Sequence, residues 1–233
     1  MSKGYIFDYG GTLDTGGCHW GKAIWHAYER QNVPVEEEQF REAYVFTERT
    51  LGGNPIIQSD YSFRKTLSVK VHIQLKRLTD LGHLSLNEQE TEDLHDRILE
   101  DLYSNVKEET TRSREVLLAL RKEHRLVLVS NFYGNINVVL KEFGLDDIFC
   151  GIIESAVVGI RKPDPRIFSM GVELLGTEAD DVIVVGDSVD KDIIPAKKAG
   201  CETVWIKGEG WTEQQKECPQ ADNIIYSLQE LLS

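Results

Sequence analysis

The chain has 233 residues, of which 41% are hydrophobic and 28% charged, so it is long enough for one large domain or one domain carrying a smaller insertion. The formal net charge of −13 argues against a nucleic-acid partner, because binding to a phosphate backbone needs clustered Lys and Arg. No stretch approaches the roughly 20 consecutive apolar residues of a membrane helix, so no membrane partner is expected.

Short apolar segments bounded by Gly, Asn or Asp predict buried strands along the chain. The predicted strands are Gly4–Phe7, Arg125–Val129, Phe149–Ile153, Asp181–Val185 and Glu202–Ile206. Helices are predicted between most of them, at Thr110–Glu123, Gly134–Phe143, Pro165–Leu175 and Lys191–Ala199. This alternation is typical of a doubly wound α/β fold, in which helices cover both faces of a parallel sheet.

The segment between the first two predicted strands has a different pattern. It contains no convincing strand, and its apolar residues recur at helical spacing in Ala23–Gln31, Glu36–Arg49, Phe63–Leu81 and Glu88–Leu102. We therefore predict an α/β core made of residues 1–15 and 105–233. A helical cap domain, residues 16–104, is inserted after the first strand.

Reactive side chains follow four of the predicted strands. Asp8 comes directly after the first strand, and Ser130-Asn131 follows the second. Lys162 lies in the loop after the third, and a carboxylate cluster from Asp187 to Asp192 follows the fourth. Because ligands of open parallel sheets bind outside the carboxyl ends of the strands, we expect these side chains to form one site.

These residue types suit metal-assisted phosphoryl transfer. A carboxylate such as Asp8 can attack phosphorus and form an aspartyl phosphate, which divides one difficult displacement into two easier ones. The carboxylate and the phosphate repel each other by about 4 kcal/mol at a separation of about 4 Å and an effective dielectric constant of about 20. Mg²⁺ held by Asp8 and Asp187, together with Lys162, supplies the positive charge that this repulsion requires, and Ser130 fixes a phosphate oxygen.

The motifs that carry these residues resemble, in order, the four motifs of the haloacid dehalogenase (HAD) superfamily. They are Phe7-Asp8-Tyr9-Gly10-Gly11-Thr12-Leu13, Val129-Ser130-Asn131, Lys162-Pro163-Asp164-Pro165, and Val185-Gly186-Asp187-Ser188 through Asp192. The resemblance spans the predicted core, and the helical insertion lies where this superfamily places its four-helix type of cap.

The resemblance implies a hydrolase or phosphotransferase that acts on a small phosphorylated metabolite with Mg²⁺ as cofactor. It implies Asp8 as the nucleophile, with Lys162, Ser130, Asn131 and Gly11 as phosphate contacts. The predicted metal ligands are Asp8, the backbone carbonyl of Gly10, and Asp187. Asp192 and Ser188 are predicted to support the site, Asp192 by orienting Lys162 or a metal-bound water.

Gly10 departs from the pattern of the superfamily's phosphatases. They carry a second aspartate at this position, which protonates the leaving group and then activates water. A positioned general acid or base is typically worth 10²- to 10⁴-fold in rate. One explanation is that Asp14 or His19 takes over the proton transfer, although we favour a structural interpretation of each, Asp14 as a cap of the following segment and His19 as a surface residue beside Trp20.

Two further explanations stay open. The substrate can have a good leaving group that needs no acid, or it can be a phosphonate cleaved through an imine on a cap lysine, for which Lys22, Lys65, Lys70 and Lys76 are available. Alternatively, catalysis is weak or absent and the protein binds a phosphorylated ligand or a partner. Dehalogenation is disfavoured, because Asp187 and Asp192 are retained.

The four cysteines, Cys18, Cys150, Cys201 and Cys218, are widely spaced and form no zinc-binding pattern. The N-terminal residues also lack the pattern of a signal peptide. These observations predict reduced thiols in a cytoplasmic protein. The sequence leaves open whether the protein is a monomer or a homodimer.

Overall fold

The computed structural model describes residues 3–212 and 218–232. In these ranges a parallel sheet has the strand order β3-β2-β1-β4-β5-β6, so β1 pairs with both β2 and β4. The strands are β1 (Gly4–Phe7), β2 (Leu126–Ser130), β3 (Gly151–Glu154), β4 (Val182–Gly186), β5 (Glu202–Ile206) and β6 (Asn223–Ile225). The direction of winding reverses between β1 and β4, where ligands of such sheets bind.

Alternate residues of the central strands β1, β2 and β4 pack into two different apolar clusters. Phe7, Leu128 and Val185 belong to a large cluster on one face of the sheet. Their chain neighbours Ile6 and Val129 belong to a second cluster on the opposite face. Since both faces are covered, the central strands are apolar throughout, as expected for a buried parallel sheet.

Four helices connect β1 to β2, and together they form the helical insertion. They are α1 (Trp20–Arg30), α2 (Glu37–Gly53), α3 (Phe63–Asp80) and α4 (Glu88–Leu120). Local sequence sets several of their starts: the side chain of Ser62 accepts a hydrogen bond from the N–H of Lys65, and Asn87 forms a capping box with Glu90. Apolar residues of these helices join the large cluster on the sheet.

The remaining helices cover the sheet. They are α5 (Ile136–Glu142), α6 (Ser155–Val158), α7 (Arg166–Leu175) and α8 (Ile194–Lys198). α5 packs into the large cluster, whereas α7 and α8 pack into the second cluster on the other face. A π-helical turn, Val189–Ile193, separates β4 from α8 and carries Asp192.

The α/β fold with a doubly wound parallel sheet is confirmed. The structure differs from the predicted elements at several places. α6 and β6 were not predicted, and the helix predicted at Lys191–Ala199 is a π-helical turn followed by α8. The separate helices predicted at Glu88–Leu102 and Thr110–Glu123 are one continuous helix, α4. This helix crosses the predicted boundary at residues 104 and 105. All four cysteines have free thiols, and none of the described helices is long and apolar enough to span a membrane.

Candidate active site

Asp8 and Lys162 form a buried ion pair at the carboxyl end of the sheet. Nζ of Lys162 lies 2.6 Å from Oδ1 of Asp8 and 2.6 Å from Oδ1 of Asp192. Lys162 is 3% exposed and Asp192 is fully buried, so the lysine is held between two carboxylates. Asp192 also accepts a hydrogen bond from the N–H of Ser188 through Oδ2. Both oxygens of Asp192 are therefore used to fix Lys162 and the turn after β4.

Asp187 follows β4 and faces the turn that begins at Asp8. Its Oδ1 accepts a hydrogen bond from the hydroxyl of Thr12 at 3.1 Å. Gly11 has a φ of +101°, and a Cβ at this position would lie 2.4 Å from Oδ1 of Asp187. Only glycine permits this backbone conformation and this close approach. Gly11 therefore lets the turn after β1 reach the carboxylate after β4.

The carboxylates at the strand ends carry more negative charge than Lys162 balances. Burial raises the pKa of Asp8 to about 6, against the opposing effect of Lys162. Burial and the charges of Asp192 and Asp8 raise the pKa of Asp187 well above its ordinary value. Burial lowers the pKa of Lys162, but the charges of Asp192 and Asp8 outweigh this effect and raise it. Lys162 is thus held as a cation.

This excess of negative charge fits a divalent cation. One oxygen from each of Asp8, Asp187 and Asp192 lies within 4.8 Å of the others. Carboxylate and carbonyl oxygens are the hard ligands that Mg²⁺ prefers. Lys162 and Ser188 engage both oxygens of the fully buried Asp192, whereas Asp8 and Asp187 line a cavity, so these two carboxylates remain for a metal.

The residues predicted to contact phosphate differ in their surroundings. Ser130 is the last residue of β2 and is 1% exposed. The side chain of Asn131 bonds the backbone of Lys162 twice, donating to its carbonyl at 3.0 Å and accepting from its N–H at 2.9 Å. Asn131 therefore holds the loop that positions Lys162. The N–H of Gly11 donates to Oδ1 of Asp14 at 2.7 Å.

Asp14 lies in the turn after β1 and is 1% exposed. Besides the bond from Gly11, its Oδ2 accepts a hydrogen bond from the indole N–H of Trp20 at 3.0 Å. Burial raises the pKa of Asp14 to about 7. Asp14 is thus a buried carboxyl group with neutral donors around it.

His19 is the N-cap residue of α1 and is partly buried. Its Nδ1 accepts a hydrogen bond from the N–H of Gly21 at 3.0 Å, and its ring lies 5.2 Å from that of Trp211. Burial lowers the pKa of His19 to about 4. His19 is therefore a neutral helix cap at neutral pH and carries no proton to donate as an imidazolium.

A cavity of about 450 Å³ separates the strand ends from the helical insertion. Asp8, Gly10, Asp14 and Asp187 line it from the sheet side. The residues that line it from the insertion include Trp20, Tyr44, Glu48, Phe63 and Lys70. The carboxylate of Asp8 thus opens into a chamber whose opposite wall includes aromatic and charged side chains.

Lys70 on α3 is the buried cation of that opposite wall. Its Nζ lies 2.7 Å from Oε1 of Glu48 on α2, and it lies over the rings of Trp20 and Tyr133 at 5.6 Å and 5.8 Å from their centroids. Burial lowers the pKa of Lys70, but the charge of Glu48 outweighs this effect and raises it. Lys70 is thus a positively charged group that faces the cavity.

Sequence reasoning named Lys70 only as one of four lysines and did not single out Glu48. No motif marks either residue, since their pairing depends on the packing of α2 against α3. The one available signal was their position on the inward face of helices rich in apolar residues.

Comparison with known proteins identifies the family. Residues 3–200 match the haloacid dehalogenase-like hydrolases. The chain belongs to this family. A glyceraldehyde 3-phosphate phosphatase of Pyrococcus furiosus is 32% identical to this haloacid dehalogenase-like hydrolase over 127 residues, 53% of either chain. A phosphoglycolate phosphatase of Neisseria gonorrhoeae is 35% identical over 96 residues, 40% of either chain.

Solved structures share the fold. A dehalogenase solved as an intermediate complex superposes with a TM-score of 0.62 and 22% identity, covering 98% of this chain and 95% of the dehalogenase. At this identity the likeness concerns the fold alone. The chain spans about half the length of the curated relative from Pyrococcus furiosus and less of the one from Neisseria gonorrhoeae.

Proposed function

We propose that the protein is a Mg²⁺-dependent phosphatase that acts on a small phosphorylated metabolite through an aspartyl phosphate on Asp8. The observation that supports this most is the contact of 2.6 Å between Asp8 and the buried Lys162, beside Asp187 and at the edge of the cavity. It unites a nucleophile, a fixed cation and a second carboxylate at one end of the sheet.

Asp8, Lys162 and Ser130 have different roles in the proposed reaction. Asp8 attacks phosphorus through a carboxylate oxygen, and the bond from phosphorus to the leaving group breaks. Lys162, held by Asp192, stays charged and offsets the negative charge of the phosphoryl oxygens. Ser130 and the turn from Gly10 to Thr12 position these oxygens. Water then releases phosphate and regenerates Asp8.

Asp8 and Asp187, with the carbonyl of Gly10, are the proposed ligands of Mg²⁺. When bound, the ion supplies charge stabilisation between two anions that would otherwise repel each other. Burial and the neighbouring carboxylates raise the pKa of Asp187, and a cation at this position would stabilise its ionised form.

The helical insertion is proposed to act as a cap that selects the leaving group. Its wall combines the cation of Lys70 with the aromatic rings of Trp20 and Tyr44. This combination suits a small leaving group that carries an anionic or strongly polar substituent. The relatives named glyceraldehyde 3-phosphate phosphatase and phosphoglycolate phosphatase are compatible with such a class.

An imine on Lys70 is disfavoured by its surroundings. Imine formation needs a neutral amine, whereas the carboxylate of Glu48 at 2.7 Å stabilises the protonated form. Lys70 is therefore proposed as a contact to the substrate and not as a nucleophile.

A hydrolysis screen tests the proposal. Wild type is compared with Asp8→Asn and Asp187→Asn, with Mg²⁺ and with a chelator, on sugar phosphates, phosphorylated hydroxy acids, acyl phosphates and an aryl phosphate. We expect turnover that needs Mg²⁺ and falls at least 10³-fold in Asp8→Asn. Binding of phosphate and Mg²⁺ without any turnover would contradict the proposal and favour a ligand-binding protein.

A further inference from the structure

We propose that Asp14 replaces the missing side chain of Gly10 as the general acid and base of the reaction. This inference rests on the phosphatase function proposed above and identifies the group that protonates its leaving group. It explains how an enzyme with glycine at this position can cleave esters with poor leaving groups.

The structure gives no steric reason for glycine at position 10. Its φ lies outside the left-handed region, and a Cβ would meet only Trp20, at 3.7 Å from Nε1 and 3.8 Å from Cδ1. These are ordinary van der Waals distances. The space that a side chain at position 10 would enter is thus bordered by the indole of Trp20.

The same indole connects this space to Asp14. Nε1 of Trp20 donates to Oδ2 of Asp14 at 3.0 Å. The carboxyl group of Asp14 therefore lies no farther from the Cβ position of residue 10 than the sum of these two contacts. Asp14 and Asp8 both line the cavity, so a leaving group bound there has access to both carboxyl groups.

The hydrogen bonds of Asp14 leave it able to transfer a proton. The N–H groups of Gly11 and Trp20 each occupy one lone pair, on different oxygens. The backbone N–H of Asp14 itself is a third donor to the carboxyl group. Two carboxyl oxygens have four lone pairs, so one remains for a proton or a substrate atom. All three donors are uncharged, and burial raises the pKa of Asp14 to about 7, which suits an acid and base at neutral pH.

Asp14 gives up its proton in the first step of the proposed reaction and regains one in the second. As Asp8 forms its bond to phosphorus, the bond from phosphorus to the leaving oxygen breaks and this oxygen takes the proton of Asp14. Water then attacks the aspartyl phosphate and gives a proton to the Asp14 carboxylate. The bond from phosphorus to Asp8 breaks, and phosphate leaves with both residues restored.

The test is the dependence of Asp14→Asn on the leaving group. Asparagine keeps the oxygen that accepts from Gly11 but cannot transfer a proton. We expect at least a 100-fold loss of kcat/KM on an alkyl phosphate, and less than a 10-fold loss on 4-nitrophenyl phosphate, whose leaving group needs no acid. Asp60→Asn, on an exposed turn, is the matched control and keeps wild-type rates.

A second variant separates proton transfer from structure. Gly10→Asp is added to Asp14→Asn, and we expect it to restore alkyl phosphate turnover at least tenfold. If Asp14→Asn does not fold, the pH profiles of wild type on the two esters are compared, and kcat/KM for the alkyl phosphate, but not for 4-nitrophenyl phosphate, is expected to fall as pH rises above about 7. Equal losses on both esters would overturn the role of Asp14 alone, whereas no turnover by wild type would overturn the proposed function and this role together.

Discussion

Lys162 and Lys70 are buried lysines that remain charged through contacts with carboxylates. Lys162 is fixed by Asp8 and Asp192 at the sheet, and Lys70 by Glu48 in the helical insertion. A lysine has three donors, so an ion pair with one carboxylate leaves donors for a ligand. Lys70 therefore has the charge and the geometry to contact a substituent of the leaving group.

Replacing Lys70 tests this contact. Because a hydrogen bond to a charged group is worth about 1.5–3 kcal/mol, Lys70→Gln should raise KM at least tenfold for a phosphorylated hydroxy acid. An aryl phosphate without a second anion should change less than threefold. Lys76→Gln, an exposed lysine on the same helix, is the control. Equal changes with both substrates would contradict the contact.

The sequence predicted which residues meet at the strand ends, but it did not predict which residues line the cavity from the helical insertion. Asp8, Lys162 and Asp187 come together because they follow strands whose carboxyl ends share one edge of the sheet, a relation visible in the order of the motifs. Glu48 and Lys70 lie 22 positions apart on two helices, and their pairing depends on how α2 packs against α3. A single sequence does not specify this packing.

Runs of apolar residues predicted most strands of the sheet. Where the observed elements differ from the predicted ones, the difference has a physical cause. β1 and β5 have the predicted bounds, Gly4–Phe7 and Glu202–Ile206, because Gly and polar residues end their apolar runs. β6 has only three residues, Asn223–Ile225, which is too short a run to predict a strand from its apolar pattern. α4 was predicted as two helices because the residues after Val106 are mostly polar. The inward face continues there through Thr110 and Ser113, which are buried but are not apolar.

α1 packs closely against the segment after β5 at Gly21, and a substitution there tests this contact. A Cβ at Gly21 would lie 2.1 Å from Cζ3 of Trp211, so Gly21→Ala must displace this indole. We expect the free energy of unfolding to fall by about 1–3 kcal/mol, as measured by urea denaturation.

Gly52→Ala is the matched control for this substitution. Gly52 lies in α2 with no atom near its Cβ position, and alanine there should raise the free energy of unfolding by up to about 1 kcal/mol. Equal effects of the two substitutions would show that Trp211 does not pack on Gly21.

For the molecule as a whole, one apolar cluster joins the sheet to the helical insertion. Phe7 and Leu128 of the sheet belong to the same cluster as Phe40 and Leu75 of the insertion. The buried carboxylates lie at the end of the sheet next to this shared core, so their ionisation affects the stability of the entire fold. Membership of the haloacid dehalogenase-like hydrolases agrees with this arrangement of sheet and motifs.

The raised pKa of Asp14 predicts a pH dependence of stability. Its pKa is 3.8 ordinarily and about 7 in the folded protein, so between these values the folded state holds a proton that the unfolded chain has released. The carboxyl therefore stabilises the fold less as pH rises. The free energy of unfolding of wild type, relative to Asp14→Asn, should fall by about 2 kcal/mol from pH ~5 to pH ~7 in a chelator.

Urea denaturation of both proteins at the two pH values measures this difference. Asp60→Asn controls for the loss of one negative charge at the surface. A difference that stays constant or rises with pH would show that Asp14 is not a carboxyl with a raised pKa.

The central claim is that Asp8 carries the phosphoryl group, and trapping this intermediate tests it most directly. Wild type is mixed with 4-nitrophenyl phosphate and Mg²⁺, then reduced with borohydride, which converts an aspartyl phosphate to homoserine, and its peptides are mapped by mass spectrometry. We predict homoserine at position 8 in wild type and none in Asp8→Asn. Homoserine at another aspartate, or undiminished turnover by Asp8→Asn, would contradict the account.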